Sequence, residues 1–170
     1  MALLLCTHSP RVKANLSRAL GFARQDGAKD GYDAFLRDIL AAVQTIAMVG
    51  APDKETRPSH RVFAYLLARG YQVIGVNPNL AGKSVHGKAF FKTLADVPGA
   101  IDMVDIFRNS AAAGGVVDEA LAPDLRPKVI WMQIGVRDDA AAARARAVGI
   151  KVVMNRCPKI EYERLGIGKS

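Results

Sequence analysis

The chain has 170 residues, half of them apolar and about a quarter charged, which suits one ordinary globular core. No apolar run approaches the ~20 residues of a membrane span, and the apolar patch at residues 1–6 is too short for a secretory signal, so we expect a cytoplasmic protein without a membrane partner. The net charge of +8 favours an anionic partner, but scattered basic residues and few aromatic residues argue against nucleic acid.

The N-terminal part of the chain differs from the rest. Residues 1–30 show no sustained periodicity and lead into a stretch rich in turn formers, 25–31, so we expect a loosely ordered extension there. From Tyr32 to Val43 apolar side chains recur at helical spacing, which predicts an amphipathic helix. We therefore place a single domain at residues 31–170.

Strand-like and helix-like segments then alternate. Five short apolar runs are predicted strands: 45–50, 72–77, 101–107, 128–133 and 151–154, with a further short extended piece at Phe90 and Phe91. Helices are predicted at 58–69, 110–121, 138–147 and 160–165, and a brief helical turn after Thr93. Strands that are apolar on nearly every position predict a parallel sheet covered by helices on both faces. Right-handed crossovers then predict a Rossmann-like, doubly wound α/β sheet of five or slightly more strands.

In such a sheet ligands bind beyond the carboxyl ends of the strands, beside the first strand. The loop after the first predicted strand opens onto a helix, whose free N–H groups favour a phosphate. The candidate phosphate-binding residues of this loop are Gly50, Ala51, Pro52, Lys54, Arg57, Pro58, Ser59 and His60. The loop has one glycine, so it is neither a dinucleotide fingerprint nor a Walker A loop. Plain solvent exposure is the alternative role for Lys54 and Arg57.

The end of the second strand discriminates between nucleotides. An NAD-binding domain usually carries a carboxylate there for the ribose hydroxyls, whereas this strand ends in Val76, Asn77 and Pro78. A neutral turn suits an adenosine with a 3′-phosphate better. An NAD(P)-binding redox or sensor protein on the same fold stays the alternative.

The remaining strand ends supply aromatic, charged and thiol side chains. Phe107 and Arg108 are suited to cover an adenine and meet a phosphate, although core packing is the alternative for Phe107. Asp105 is either part of this site or a structural carboxylate paired with Arg108 or a loop amide. Cys157 is either an activated thiol before a short helix or a buried, inert one.

Catalytic and metal-binding groups find little support in the sequence. His8, His60 and His86 are too dispersed along the chain to indicate a metal site. Two cysteines are too few for a disulfide framework. Nothing resembles a nucleophile elbow. We therefore assign no catalytic residue.

Six short segments in order, each at a strand end, resemble the small CoA-binding proteins related to the N-terminal domain of the succinyl-CoA synthetase α subunit. They are Val49-Gly50, Arg57-Pro58-Ser59, Val76-Asn77-Pro78, Asp105-Ile-Phe-Arg108, Trp131-Met-Gln-Ile-Gly135 and Asn155-Arg-Cys-Pro-Lys-Ile-Glu161. The resemblance implies coenzyme A (or an acyl-CoA) as ligand, with its phosphates on the loop from Gly50 and its adenine near Asn77.

The resemblance also places the pantetheine arm near Asp105 and beside Gln133, Ile134 and Gly135, with Cys157 near the reactive end. Two departures from the ligase domain matter. Its lysine after the second strand matches Leu80 here, with Lys83 offset. Its phosphorylated histidine belongs to a second domain that this chain lacks, so we expect CoA binding without autonomous ligase chemistry. A CoA-holding subunit of an acyl-CoA ligase-type enzyme, completed by a partner protein, is the further alternative.

Overall fold

The computed structural model describes residues 29–52 and 54–168. The chain divides into two compact units, residues 1–34 and residues 35–170. Of the first unit only residues 29–34 are described, and they open helix α1, Lys29–Ala42. The extension expected at residues 1–30 therefore lies almost wholly outside the described residues.

A mostly parallel sheet of seven strands forms the centre of the second unit. The strands are β1 (Thr45–Val49), β2 (Gln72–Val76), β3 (Ser84–Val85), β4 (Lys88–Phe91), β5 (Met103–Ile106), β6 (Val129–Met132) and β7 (Lys151–Val153). Their order is β3-β4-β2-β1-β5-β6-β7, and β3 alone runs antiparallel to its neighbour. The predicted Rossmann-like α/β fold is confirmed. The extended piece expected at Phe90 and Phe91 is strand β4, and β3 turns back on it as a hairpin.

Three further α-helices connect strands, α2 (Pro58–Ala68), α3 (Ser110–Ala120) and α4 (Asp139–Ala147), and α5 (Pro158–Arg164) follows the last strand. Side chains cap two of them, because Asn109 accepts from Ala112 N–H and Asp138 accepts from Ala141 N–H. The turn predicted after Thr93 is present and does not continue into a helix, with Val97 N–H donating to Leu94 O at 3.2 Å. Asp96 Oδ2 accepts hydrogen bonds from Thr93 N–H and Oγ1–H, at 3.0 and 2.7 Å.

The two faces of the sheet carry different helices. Small residues of α3 and α4 pack on one face, against side chains such as Val104, Ile106, Ile130 and Met132. Residues that alternate with these, among them Met103 and Trp131, point to the opposite face and are fully buried. Among the described residues, no helix is long and apolar enough to cross a bilayer.

The winding of the chain determines where a site can form. From β1 the chain moves outward to β2 and β4, and it then returns to β5 on the other side of β1. After β1 and after β5 the chain therefore continues in opposite directions from the carboxyl edge of the sheet. This is the switch point at which open α/β sheets bind their ligands.

Candidate ligand-binding site

Three strand-end loops are tied together at the switch point. Gly50 N–H donates to Val76 O at 2.9 Å, and Phe107 N–H donates to Val49 O at 2.8 Å. The Asn77 side chain donates to Ala51 O at 2.8 Å and accepts from Asn79 N–H. Asn77 thus holds the β1–α2 loop against the end of β2, a structural role that leaves its turn neutral.

Gly50 permits a close approach between two strand-end loops. Its φ is +86°, and a Cβ built there would lie 2.8 Å from Phe107 O and 3.0 Å from Arg108 Cδ. Any larger residue at position 50 would meet the backbone that follows β5 and would adopt a strained conformation. The β1 and β5 loops therefore touch because residue 50 has no side chain.

The start of helix α2 is positively charged and open. Its N-cap residue Arg57 makes no side-chain capping hydrogen bond, and Pro58 occupies the first turn. Lys54, Arg57 and Arg108 are exposed. Cations beside a helix start without a side-chain cap form an arrangement suited to an anion such as a phosphate. Ser59 and His60 of the first turn are buried, at 8 % exposure each.

A second set of contacts joins the ends of β6 and β7. Gly135 N–H donates to Asn155 Oδ1 at 2.8 Å, and Asn155 has a φ of +54°. Ser110 Oγ–H donates to Gly135 O at 3.3 Å and accepts from Arg137 N–H at 3.0 Å. Between these fixed points Ile134 is 61 % exposed, the most exposed large apolar side chain of the described residues. It offers an apolar surface at the carboxyl edge.

Asp105 lies beneath this edge in a fully buried position. Gln133 Nε2 donates to both of its carboxylate oxygens, at 3.0 and 3.2 Å. Burial raises the pKa of Asp105 to about 7, although the hydrogen bond from Gln133 opposes the shift. Of the two structural partners expected, the amide is correct and Arg108 is wrong, because the Asp105 carboxyl forms no ion pair with any described residue.

Cys157 is buried, with 7 % exposure, and it precedes α5 as an N-cap without a side-chain capping bond. Burial raises the pKa of its thiol, the N–H groups of Ile160 and Lys159 oppose this shift, and the charge of Asp105 adds to it. Of the two roles expected for Cys157, these features favour the inert thiol. Trp131 Nε1–H donates to Arg156 O at 2.8 Å and fixes the turn that carries it.

Most of the predicted site residues outside the start of α2 fall into two groups joined by contacts. The first, around Gly50, contains Ala51, Asn77, Phe107 and Arg108, with Phe107 half-buried. The second, around Gln133, contains Asp105, Ile134, Gly135 and Cys157. The two groups are adjacent because Gln133 N–H donates to Ile106 O, one residue before Phe107. Pro52, Val76 and Pro78 flank the first group, and Val76 is buried.

Several contacts at this edge were not predicted. Asn155 and Ser110 fix the β6 turn, although Asn155 was noted only as part of the segment Asn155-Arg-Cys-Pro and Ser110 only as the start of a helix. His60 and His86 were judged too dispersed, but their rings lie 4.4 Å apart, and His86 also stacks on Phe63. His86 and Gly87 form the two-residue turn between β3 and β4, and both have positive φ, as a tight β-hairpin turn requires.

Comparisons with known proteins show the family and the fold. The model of the family described as "CoA binding domain" matches residues 44–163. The uncharacterized protein YneT of Bacillus subtilis is 33 % identical over 127 residues, which are 75 % of this chain and 91 % of that protein. A solved structure from Thermus thermophilus is 37 % identical with a TM-score of 0.74, covering 78 % of this chain and 98 % of that one. A hypothetical protein of Pyrococcus horikoshii is 34 % identical with the same TM-score, over 79 % and 92 %. The chain therefore belongs to the CoA binding domain family.

Proposed function

We propose that this chain binds coenzyme A or an acyl-CoA at the carboxyl edge of its sheet and catalyses no reaction by itself. The observation that carries the proposal is the family match over residues 44–163, a span that includes every strand-end loop described above. The net charge of +8 agrees with a polyphosphate ligand.

The residues present fit such a ligand. Lys54, Arg57 and Arg108 are exposed cations for the phosphates, next to the start of α2. The neutral turn at Asn77 accommodates the adenosine without a carboxylate that would repel a 3′-phosphate. Exposed Ile134 gives the pantetheine arm an apolar surface, and Gly135 leaves room beside it.

Calorimetric titration with CoA, 3′-dephospho-CoA and NADP tests the proposal. We expect micromolar binding of CoA and weaker binding of the other two ligands, because one lacks the 3′-phosphate and the other lacks the pantetheine arm. No CoA binding at micromolar concentration, or equal affinity for CoA and 3′-dephospho-CoA, would count against it. Preferential binding of NADP would establish the nicotinamide alternative instead.

Two variants, one of an arginine and one of a lysine, distinguish a local phosphate site from an effect of the overall net charge. Arg57→Ala removes a cation beside α2, and Lys151→Ala removes one at the opposite, amino-terminal edge of the sheet. Both change the net charge equally. We expect Arg57→Ala to weaken CoA binding about tenfold, the value of a charge-assisted hydrogen bond, and Lys151→Ala to have little effect. Equal losses in the two variants would contradict a site at the β1–α2 loop.

A further inference from the structure

The pair formed by Asp105 and Gln133 is unusual for a buried carboxyl group. Asp105 is fully buried, and within residues 29–52 and 54–168 its carboxylate has one hydrogen-bonding partner, the Gln133 side-chain amide. A buried carboxylate is normally compensated by a cation or by several donors. Because this carboxylate has neither, the protonation state of Asp105 matters for the groups around it.

The orientation of the Gln133 amide follows from that protonation state. An ionised carboxylate can only accept, so it requires the NH₂ group of Gln133 to face it. The Gln133 Oε1 atom then lies on the far side of the amide. It accepts no hydrogen bond from the described residues, although Gln133 is only 6 % exposed. Oε1 still keeps some contact with solvent, because Tyr65 Oη is the one side-chain polar atom of the described residues that has neither solvent contact nor a hydrogen-bond partner.

Protonation allows the opposite orientation. A neutral carboxyl group has an O–H donor, which can pair with the Oε1 of a primary amide. After rotation by 180°, Gln133 Oε1 would accept from the Asp105 O–H. The NH₂ group would then face away from Asp105, where Oε1 lies in the ionised form. The proton comes from solvent, and no covalent bond changes.

We propose that Asp105 is a positioning residue whose protonation exchanges a hydrogen-bond acceptor, Gln133 Oε1, for an N–H donor at the carboxyl edge of the sheet. On the proposed function, which this inference depends on for its ligand, the ionised form presents the carbonyl to an amide N–H of the pantetheine arm. Burial brings this exchange close to neutral pH, since it raises the pKa of Asp105 to about 7.

The other titratable groups nearby are accounted for. Cys157, at the start of α5, interacts electrostatically with Asp105 and stays a neutral thiol because burial raises its pKa. On α5 itself Glu161 forms ion pairs with Arg156 and Arg164, at 2.9 and 2.7 Å. The buried titratable residue of α2, His60, contacts His86. None of these groups forms an ion pair with Asp105 within the described chain.

Nuclear magnetic resonance of the ligand-free protein tests the exchange directly. We expect the Asp105 carboxyl ¹³C signal and the Gln133 side-chain amide ¹⁵N and ¹H signals to titrate together, with a midpoint near pH 7. In Asp105→Asn the Gln133 amide signals should no longer titrate. The exposed Gln72 amide serves as the internal control. An Asp105 that stays ionised from pH 5 to 9, or a Gln133 amide that ignores its titration, would overturn the proposal.

CoA binding at pH 6 and pH 8 tests its consequence for the ligand. We expect the exchange at Asp105 and Gln133 to make CoA affinity about three- to tenfold lower at pH 6 than at pH 8, which is the value of one hydrogen bond. The CoA 3′-phosphate titrates in the same range, so the comparison is the pH 8 to pH 6 ratio of the wild type against that of Asp105→Asn. Asp102→Asn is the control and should keep the wild-type ratio. An unchanged ratio in Asp105→Asn would overturn the proposed coupling, whereas absence of CoA binding at both pH values would reject the ligand and leave the resonance titration to decide the switch.

Discussion

Asp105 is a carboxyl group that the fold keeps out of water, and this has a thermodynamic consequence. In the unfolded chain an Asp ionises near pH 3.9, whereas in the folded chain burial raises the pKa of Asp105 to about 7. Between these values the folded chain binds more protons, so rising pH favours unfolding. The stability associated with Asp105 is fully present below about pH 4 and is lost as the pH rises through 7.

We therefore expect Asp105→Asn to stabilise the protein at pH 8 relative to pH 5. The gain between these pH values should reach about 3 kcal/mol at most, since the pKa of about 7 lies two units above pH 5 and one pKa unit corresponds to about 1.4 kcal/mol. Urea unfolding of the wild type and the variant at both pH values measures it. A variant whose free energy of unfolding parallels that of the wild type from pH 5 to 8 would show that Asp105 ionises normally.

Asp102→Asn is the matched control, because the pKa of Asp102 is shifted in the opposite direction to that of Asp105. Burial alone would raise the pKa of Asp102, but hydrogen bonds from Lys128 and from the Thr45 and Gln44 N–H groups hold it below its usual value. The stability that the Asp102 carboxylate contributes is present above the pKa that it has in the unfolded chain. It is lost only as the pH falls through its lower pKa in the folded chain. The cost of Asp102→Asn should therefore be the same at pH 5 and pH 8.

Cys157 should behave as a protected thiol. Because burial raises its pKa, little thiolate is present at neutral pH. In a Cys6→Ser background, we expect alkylation of the folded protein to be much slower than that of the urea-unfolded chain at pH 7.5. The rate should still be rising at pH 9. A plateau below pH 8, measured by mass spectrometry, would identify Cys157 as an activated thiol.

The sequence suffices to predict where these residues lie but not their state. Asp105 lies within one predicted strand and Gln133 ends the next one, so their place on consecutive strands is predictable from the pattern. Their hydrogen bond depends on which faces of the two strands meet in register, with Asp105 opposite Trp131. Burial of Cys157 likewise depends on how α5 packs, which a lone Asn-Arg-Cys-Pro segment does not encode.

Among the strands and helices, those with long apolar runs or clear caps are predictable from local sequence. Asp138 before an alanine-rich helix is an example, and the structure confirms its capping bond to Ala141. Strand β3 was missed because it has two residues, which no periodicity can mark. The single turn predicted after Thr93 is present, but Thr93 does not cap it as an acceptor, because its N–H and hydroxyl both donate to Asp96.

Gly50 links β1 to β5, and its replacement tests how tightly these loops meet. Gly50→Ala places a Cβ 2.8 Å from Phe107 O in a residue with φ of +86°. Gly70→Ala is the matched control, with φ of +85° and nothing within 4 Å of its Cβ. We expect Gly70→Ala to cost about 1 kcal/mol for the conformation alone. Gly50→Ala should cost about 1–3 kcal/mol more for the crowding.

Thermal or urea unfolding of the two glycine variants gives the comparison. Since the β1 loop would have to shift, Gly50→Ala should also weaken CoA binding, and Gly70→Ala should not. Equal destabilisation by the two substitutions would mean that the β5 loop yields easily. In that event Gly50 would be needed for its conformation and not for close approach.

The net charge of +8 raises the question of whether the protein attracts its ligand through local cations or through its overall field. Exposed charges more than a Debye length apart are screened from each other. At about 0.01 M salt, where that length is about 30 Å, all cations of the domain act on a bound anion. At about 1 M salt, where it is about 3 Å, only cations in direct contact act.

The salt dependence of CoA affinity therefore separates the two. We expect affinity to fall across this range, with a shallower fall for 3′-dephospho-CoA, which carries less charge. In Arg57→Ala, CoA affinity should fall less steeply with salt concentration. Binding should also be weaker at every salt concentration, because a contact is lost. Lys151→Ala should weaken binding slightly at about 0.01 M salt alone, because only its long-range field acts at the carboxyl edge. Convergence of Arg57→Ala with the wild type at high salt would mean that Arg57 contributes only to the field and that the ligand phosphates lie elsewhere.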